Sequence, residues 1–262
     1  MSNDPFIEAD AISALGPVRY LDARDPAAFA AGHAPNAILA PSNDWDTLAK
    51  APGSGFENTA FWDATLNALG IDNTTTHVVY DTGAMTNAAR VWFILQYYGA
   101  KAVIVNGGWP ALAAAPSLPQ GAGPGTGFKA TPNAGPVGLV DRATLKSQLN
   151  GDAHVFDTRT TPEFTGQDQR KNARGGHLPG ARNLSHTDLL DNGRVKPATE
   201  VRAMLDRVGF QPGDHIVTHC EGGGRAAFGA AAAVRAGFGD VRVYYLSFAD
   251  WAKDDSCPIV RD

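Results

Sequence analysis

The chain has 262 residues, is 44% hydrophobic and 19% charged, and carries a formal net charge of −5. This is the composition of a soluble globular protein, long enough for one large or two small domains, and its acidic balance speaks against nucleic-acid or anionic-membrane binding. Two cysteines are too few for a disulfide framework, no CxxC pair suggests a metal site, and no apolar run reaches membrane-spanning length, so a reducing, cytoplasmic setting is expected.

The opening MSNDPFIEADAISALG has neither a basic n-region nor an apolar h-region, so no secretory signal is expected. VRYLDAR, with Asp22 and Arg24, is a short apolar run ending in a polar turn, as a buried strand would be. GHAPNA follows at Gly32–Ala37, then the strand pattern HVVYD (His77–Asp81), a helical pattern over Asn87–Tyr98, the strand pattern KAVIVN and the turn NGGW (Asn106–Trp109). Gly and Pro then concentrate between Ala113 and Pro136 without periodicity, which reads as a linker over 116–136.

After that stretch the landmarks return in the same order. AHVFDTR carries Asp157 and Arg159, an insertion FTGQDQRKNARG follows, and GHLPGA stands at Gly176–Ala181. IVTHC (Ile216–Cys220) matches HVVYD with an offset of 220 − 81 = 139, and the same offset sets YLSF (Tyr245–Phe248) opposite NGGW. A helical pattern over Arg225–Ala236 and the strand pattern VRVYYL complete the second copy. Strands alternating with helices predict mainly parallel sheets flanked by helices, an α/β fold built twice: an N-terminal domain over 1–115 and a C-terminal domain over 137–262. Asp81 stands where the second copy has Cys220, so the chemistry is expected in the C-terminal copy.

Cys220 ends a β-rich run, and the Ala-rich stretch after Gly224 is helical. That places the thiol at a strand's C-terminal end and just before a helix N-terminus, where ligands bind in open α/β sheets. Unpaired N–H groups at a helix start attract anions and stabilise thiolates. Gly222, Gly223 and Gly224 free the backbone to turn its amides inward, and Arg225 adds positive charge beside Glu221. A lone cysteine is also found as a small buried hydrophobe, the expected role of Cys257 in DDSCPIV. Cysteine phosphatases place five residues between Cys and Arg; here four separate Cys220 from Arg225, and the smaller ring suits one extra sulfur better than a tetrahedral oxyanion.

LDAR and FDTR, GHAPNA and RGGHLPGA, VVYD with NAARVW, VNGGWPAL, and HCEGGGR with LSFADW together resemble the tandem-domain rhodaneses, the thiosulfate and 3-mercaptopyruvate sulfurtransferases. The resemblance spans both halves. It implies two rhodanese domains with the active one C-terminal. Cys220 would carry a persulfide held by the backbone of Glu221–Arg225, turnover would be ping-pong, and no metal or organic cofactor would be needed. Thiosulfate is the expected donor because some bacterial members close the loop with Arg, with 3-mercaptopyruvate the alternative. Cyanide, a small thiol or another protein would be the acceptor; a persulfide relay to a protein thiol is a separate reading. The resemblance further implies donor binding by Arg174, with Arg170 as second candidate. Arg159 is expected to organise structure through Asp157, and His33 and His177, repeated in both copies, to serve the fold, with His33 alternatively reaching the cleft. His219 is expected to point away from the thiol, since neighbouring strand side chains alternate. Trp109 and Trp251 are expected as packing residues, with Trp251 alternatively a pocket wall.

Overall fold

Runs of β-branched and apolar residues closed by a polar turn form central strands, as sheets buried on both faces require. The computed structural model describes residues 4–149, 151 and 153–261. In the first half the strands are β1 (Phe6–Ile7), β2 (Val18–Asp22), β3 (Ile38–Leu39), β4 (Thr76–Tyr80) and β5 (Ala102–Val105), in the sheet order β1-β5-β4-β2-β3. Helices α1 (Pro26–Ala31), α2 (Ser42–Lys50), α3 (Thr59–Ala68), α4 (Thr86–Tyr97) and α5 (Gly108–Ala113) flank it.

The second half has β6 (Val137–Leu139), β7 (His154–Asp157), β8 (Arg182–Asn183), a ribbon of β9 (Leu190–Asp191) and β10 (Arg194–Val195), then β11 (His215–His219) and β12 (Asp240–Val243). Its helices are α6 (Arg142–Gln148), α7 (Thr161–Thr165), α8 (Ala198–Arg207), α9 (Gly224–Arg235) and α10 (Ser247–Trp251). The sheet order β6-β12-β11-β7-β8 repeats the first strand for strand, and the pairs within both sheets are parallel. The register repeats too: Asp22 pairs with Tyr80 as Asp157 pairs with His219. This is the duplicated α/β architecture that the repeated landmarks predict.

The duplication reaches single hydrogen bonds. Asp22 accepts from Arg24 Nε at 2.9 Å and Nη2 at 2.6 Å, and Nη2 also donates to Gly32 O at 2.6 Å. Asp157 accepts from Arg159 Nε at 3.0 Å and Nη2 at 2.6 Å, and Nη2 donates to Gly176 O at 2.8 Å. Each guanidinium therefore ties its strand end to the glycine of GHxPxA. It also lies over an aromatic ring, Trp109 at 4.5 Å in the first copy and Phe248 at 3.9 Å in the second, again 139 residues apart. The histidine of each GHxPxA stacks on a helical phenylalanine, His33 on Phe29 and His177 on Phe164, and its Nδ1 lies beside that residue's carbonyl. Both histidines are thus part of the fold.

The chain forms two compact units, Met1–Gly135 with Asn192–Arg194, and Pro136–Asp191 with Val195–Asp262. Residues 116–136, expected as a linker, have no helix or strand but run along the first unit rather than free of it. Ala122 N–H donates to Val18 O at 2.7 Å, Gly125 N–H to Gly70 O at 2.9 Å, and Phe128 N–H to Asn67 Oδ1 at 3.0 Å. Among the described residues no helix is long and apolar enough to cross a membrane.

Candidate active site

Strand β11 is central in its sheet and buried from Ile216 onward, so its C-terminal end presents Cys220 at the sheet's edge with little freedom to move. Helix α9 begins only four residues later and is nearly all alanine and glycine on its buried face. Small residues let it lie close to the sheet: a Cβ on Gly229 would come within 2.4 Å of Thr158. Thr218 Oγ1 donates to Ala226 O at 3.0 Å and fastens the helix start to the strand. Between them Gly223 takes φ +99°, a conformation that disfavours a side chain, and a Cβ there would press on Tyr245.

This turn points backbone amides at sulfur. Cys220 Sγ accepts from Gly223 N–H at 3.1 Å and from Gly222 N–H at 3.4 Å. The backbone of Cys220 is held from the α10 side: its N–H donates to Ser247 Oγ at 3.2 Å and its carbonyl accepts from Phe248 N–H at 2.9 Å. Ser247 is fully buried in a left-handed conformation, φ +61°, where the first copy has Gly108 at φ +57°. Its hydroxyl lies 2.9 Å from Tyr244 O and 3.8 Å from Sγ.

The first copy supplies an internal comparison. Helix α4 starts five residues after Asp81, α9 four after Cys220, so the first loop is one residue longer. Its larger ring wraps a carboxylate: Asp81 Oδ1 accepts from Gly83 and Met85 N–H, and Oδ2 from Asn87 and Ala88 N–H, at 2.8–3.1 Å. The shorter ring closes on one sulfur atom. Both rings are anion cradles of the kind helix N-termini make, sized to different occupants.

Charged side chains around the loop pair differently from what adjacency suggests. Arg225 turns to Glu163, with Nη1–Oε2 at 2.7 Å and Nη2–Oε1 at 2.8 Å. Burial opposes the charge on both, yet the bidentate pair wins. Arg225 is held above its ordinary range, and Glu163, which also accepts from Thr160 N and Oγ1, is held down to about 2. Glu221 instead accepts Asn172 Nδ2 on both oxygens, at 2.9 and 3.1 Å, and burial pushes its pKa up. His186 is half-buried within electrostatic reach of Arg225 and Glu163; burial, then Arg225, lowers its pKa.

Of the predicted site residues, Cys220 and Glu221–Arg225 form one loop. Arg170 stands at its margin, 3.6 Å from Glu163 Oε1 and largely exposed. Arg174 does not join them: its guanidinium donates to the carbonyls of Trp251, Ala252, Asp254 and Cys257. It fastens the C-terminal segment, with Asp255 Oδ1 also 3.8 Å from its Nε, so the structure does not bring this expected donor-binding residue to the loop. Trp251 is wholly buried, with Nε1 donating to Pro258 O at 2.9 Å, and packs the core rather than walling a pocket. Cys257 lies in that core, and burial raises its pKa.

His219 points away from the thiol, as alternation requires. Its Nε2 lies 3.3 Å from Asp157 Oδ2 and its Nδ1 3.3 Å from Cys220 O. Burial lowers its pKa to about 4, and that of His77 in the first unit also to about 4. Unfolded, both titrate near about 6.5. The unfolded chain therefore binds more protons between these values, so stability is intact above about pH 6.5 and falls as pH drops toward 4. Denaturant midpoints measured across that window should decline with a slope approaching two protons; a flat profile would contradict buried neutral imidazoles.

Glu163, Asn172, Ser247 and His186 were not picked out by the sequence reading. Thr160–Glu163 does spell a capping box, legible as a helix start but not as the partner of Arg225. Among the described residues no cluster of three or more His, Cys, Asp or Glu could hold a metal ion.

A rhodanese-like domain model matches residues 8–115 and 141–254. The chain is 30% identical over 274 residues to SseB of Mycobacterium tuberculosis, a protein named for thiosulfate sulfurtransferase activity, covering 97% of this chain and 94% of that one. It is 27% identical over 205 residues to the 3-mercaptopyruvate sulfurtransferase of Escherichia coli K12, covering 74% and 71%. The crystal structure of SseA from Escherichia coli superposes with a TM-score of 0.74 at 24% identity, covering 93% of this chain and 98% of that one, and shares the fold. The chain belongs to the rhodanese family, with two rhodanese-like domains in tandem, and is a sulfurtransferase.

Proposed function

We propose that Cys220 accepts a sulfane sulfur from thiosulfate, holds it as a persulfide, and passes it to a thiophilic acceptor: cyanide, a small thiol or a protein thiol in a reducing compartment such as the cytoplasm. The observation that carries this reading is the pair of loop N–H groups aimed at Sγ at the start of α9. In the first step the thiolate attacks the outer sulfur of thiosulfate, the S–S bond breaks, and its electron pair leaves on sulfite. The loop amides then face the terminal sulfur and its negative charge. In the second step the acceptor attacks that sulfur and Cys220 leaves as thiolate. Splitting one transfer in two gives a covalent intermediate and ping-pong kinetics. Initial rates at several thiosulfate and cyanide concentrations should give parallel reciprocal lines; intersecting lines would contradict a free persulfide enzyme.

A specific observation supports 3-mercaptopyruvate as a second donor. Arg225 is paired with Glu163, so its charge is balanced before any dianion arrives. A mercapto acid with one negative charge asks less of the loop. Its C–S bond would break, the sulfur staying on Cys220 and the thiol proton ending on the carbon of pyruvate.

A further inference from the structure

The copy that carries Cys220 has the longer segment between two matched landmarks: sixteen residues separate Arg159 from Gly176, where seven separate Arg24 from Gly32. Arg174 stands near the end of that segment, and residues 25–31 of the first copy hold no arginine. The Arg174 guanidinium donates from Nε to Ala252 O at 3.1 Å, from Nη1 to Cys257 O at 2.9 Å, and from Nη2 to Trp251 O at 3.2 Å and to Asp254 O. These carbonyls close α10 and form the turn after it. The last carbonyls of a helix have no partner within it. A guanidinium carries five N–H donors in a fixed planar fork and gathers several carbonyls at once, where an ammonium is a point charge. Asp255, whose Oδ1 lies 3.8 Å from Nε, is fully exposed, so solvent screens it and the carbonyls set the geometry.

The other end of α10 grips the site. Phe248 N–H donates to Cys220 O at 2.9 Å, Ala249 N–H donates to Glu221 O at 3.2 Å, and Ser247 Oγ accepts from Cys220 N–H at 3.2 Å. The helix spans five residues, Ser247–Trp251, so its two ends lie only about 8 Å apart and a shift at one reaches the other. The first copy has the same grip, Trp109 N–H to Asp81 O at 2.7 Å, with no arginine at the matching place. The guanidinium is thus added in the copy whose strand ends on a thiol.

We propose that Arg174 is a positioning residue for sulfur transfer: it locks the far end of α10 so that the near end holds the backbone of Cys220 and Glu221 in place while sulfur arrives and leaves. The inference rests on Cys220 being the sulfur-accepting residue. Arg174 acts through α10 and touches neither donor nor acceptor. The loop has to serve two occupants, Sγ in one state and a terminal sulfur about 2 Å farther out in the next. A backbone free to drift between them misplaces the reacting atoms, and a misplacement of about 1 Å is enough to slow a reaction severely.

The test compares Arg174→Met, which keeps the bulk of the stem and removes every donor, with Arg174→Lys, which keeps the charge and loses the fork. In Arg174→Met kcat should fall about tenfold, by the same factor for thiosulfate and for 3-mercaptopyruvate, with KM for each within about twofold of the wild type. Arg174→Lys should lie close to Arg174→Met. Recovery by lysine, or a rise in KM larger than the fall in kcat, would make Arg174 an electrostatic donor site and overturn the proposal. An unchanged kcat per folded chain would make it a purely structural tie and overturn it as well. Hydrogen exchange in the wild type needs no variant: the amides of Phe248 and Ala249 should exchange as slowly as those of β11, and fast exchange there would contradict a locked α10 even if neither variant folds. Absence of persulfide in the wild type with either donor would instead remove the underlying reading of Cys220.

Discussion

Cys220→Ser should lower sulfur transfer by at least about a thousandfold while leaving the fold intact. The serine hydroxyl fits the space of the thiol, and its oxygen can accept from Gly222 and Gly223 N–H as sulfur does. What is lost is a nucleophile able to take a sulfur and release it again. The second cysteine cannot substitute. Cys257 is packed with Leu178, Tyr244 and Trp251, and burial raises its pKa, both of which keep it from forming an accessible thiolate. Cys257→Ala should accordingly retain activity in the same assay. Activity surviving in Cys220→Ser and vanishing in Cys257→Ala would reverse the assignment of the two thiols.

Asp157→Ala should cost about 3–5 kcal/mol of stability in the second unit. The carboxylate is wholly buried and accepts Arg159 through Nε and Nη2, with His219 beside it. Removing it strands a buried guanidinium whose remaining partners are Gly176 O and the ring of Phe248. The damage sits next to the site, because β7 and β11 pair at Asp157 and His219, one residue before Cys220. Asp22→Ala should have a comparable effect in the first unit, where Arg24 makes the same bonds. Denaturant titration of each variant measures this, and a loss below about 1 kcal/mol would mean that water replaces the carboxylate.

The duplication was legible because each landmark is a local pattern with a local cause. DxR, GHxPxA and the strand-ending Asp81 and Cys220 recur in the same order, and the two sheets repeat one strand order. The short loop after Cys220 could be counted from sequence, and the longer ring around Asp81 supports the link between ring size and occupant. What could not be read was partner choice across the fold. Arg225 pairs with Glu163, 62 residues away, rather than with the nearby Glu221. Arg174 finds four carbonyls at Trp251–Cys257, about 80 residues on, which no helical or strand period encodes. Ser247 occupies a left-handed position that the first copy fills with Gly108, so its sequence gives no sign of the turn it makes. Stretch 116–136 has the composition of a linker, yet its backbone groups find partners on the first unit, where Asn67 and Gly70 offer them.

The central claim is that Cys220 becomes a persulfide, and intact mass tests it most directly. Wild type and Cys220→Ser would each be incubated briefly with thiosulfate, without reductant, and sulfite measured alongside. A gain of one sulfur atom in the wild type alone, matched by one sulfite per chain, is the predicted result. No gain in the wild type with thiosulfate or with 3-mercaptopyruvate, or an equal gain in Cys220→Ser, would contradict it.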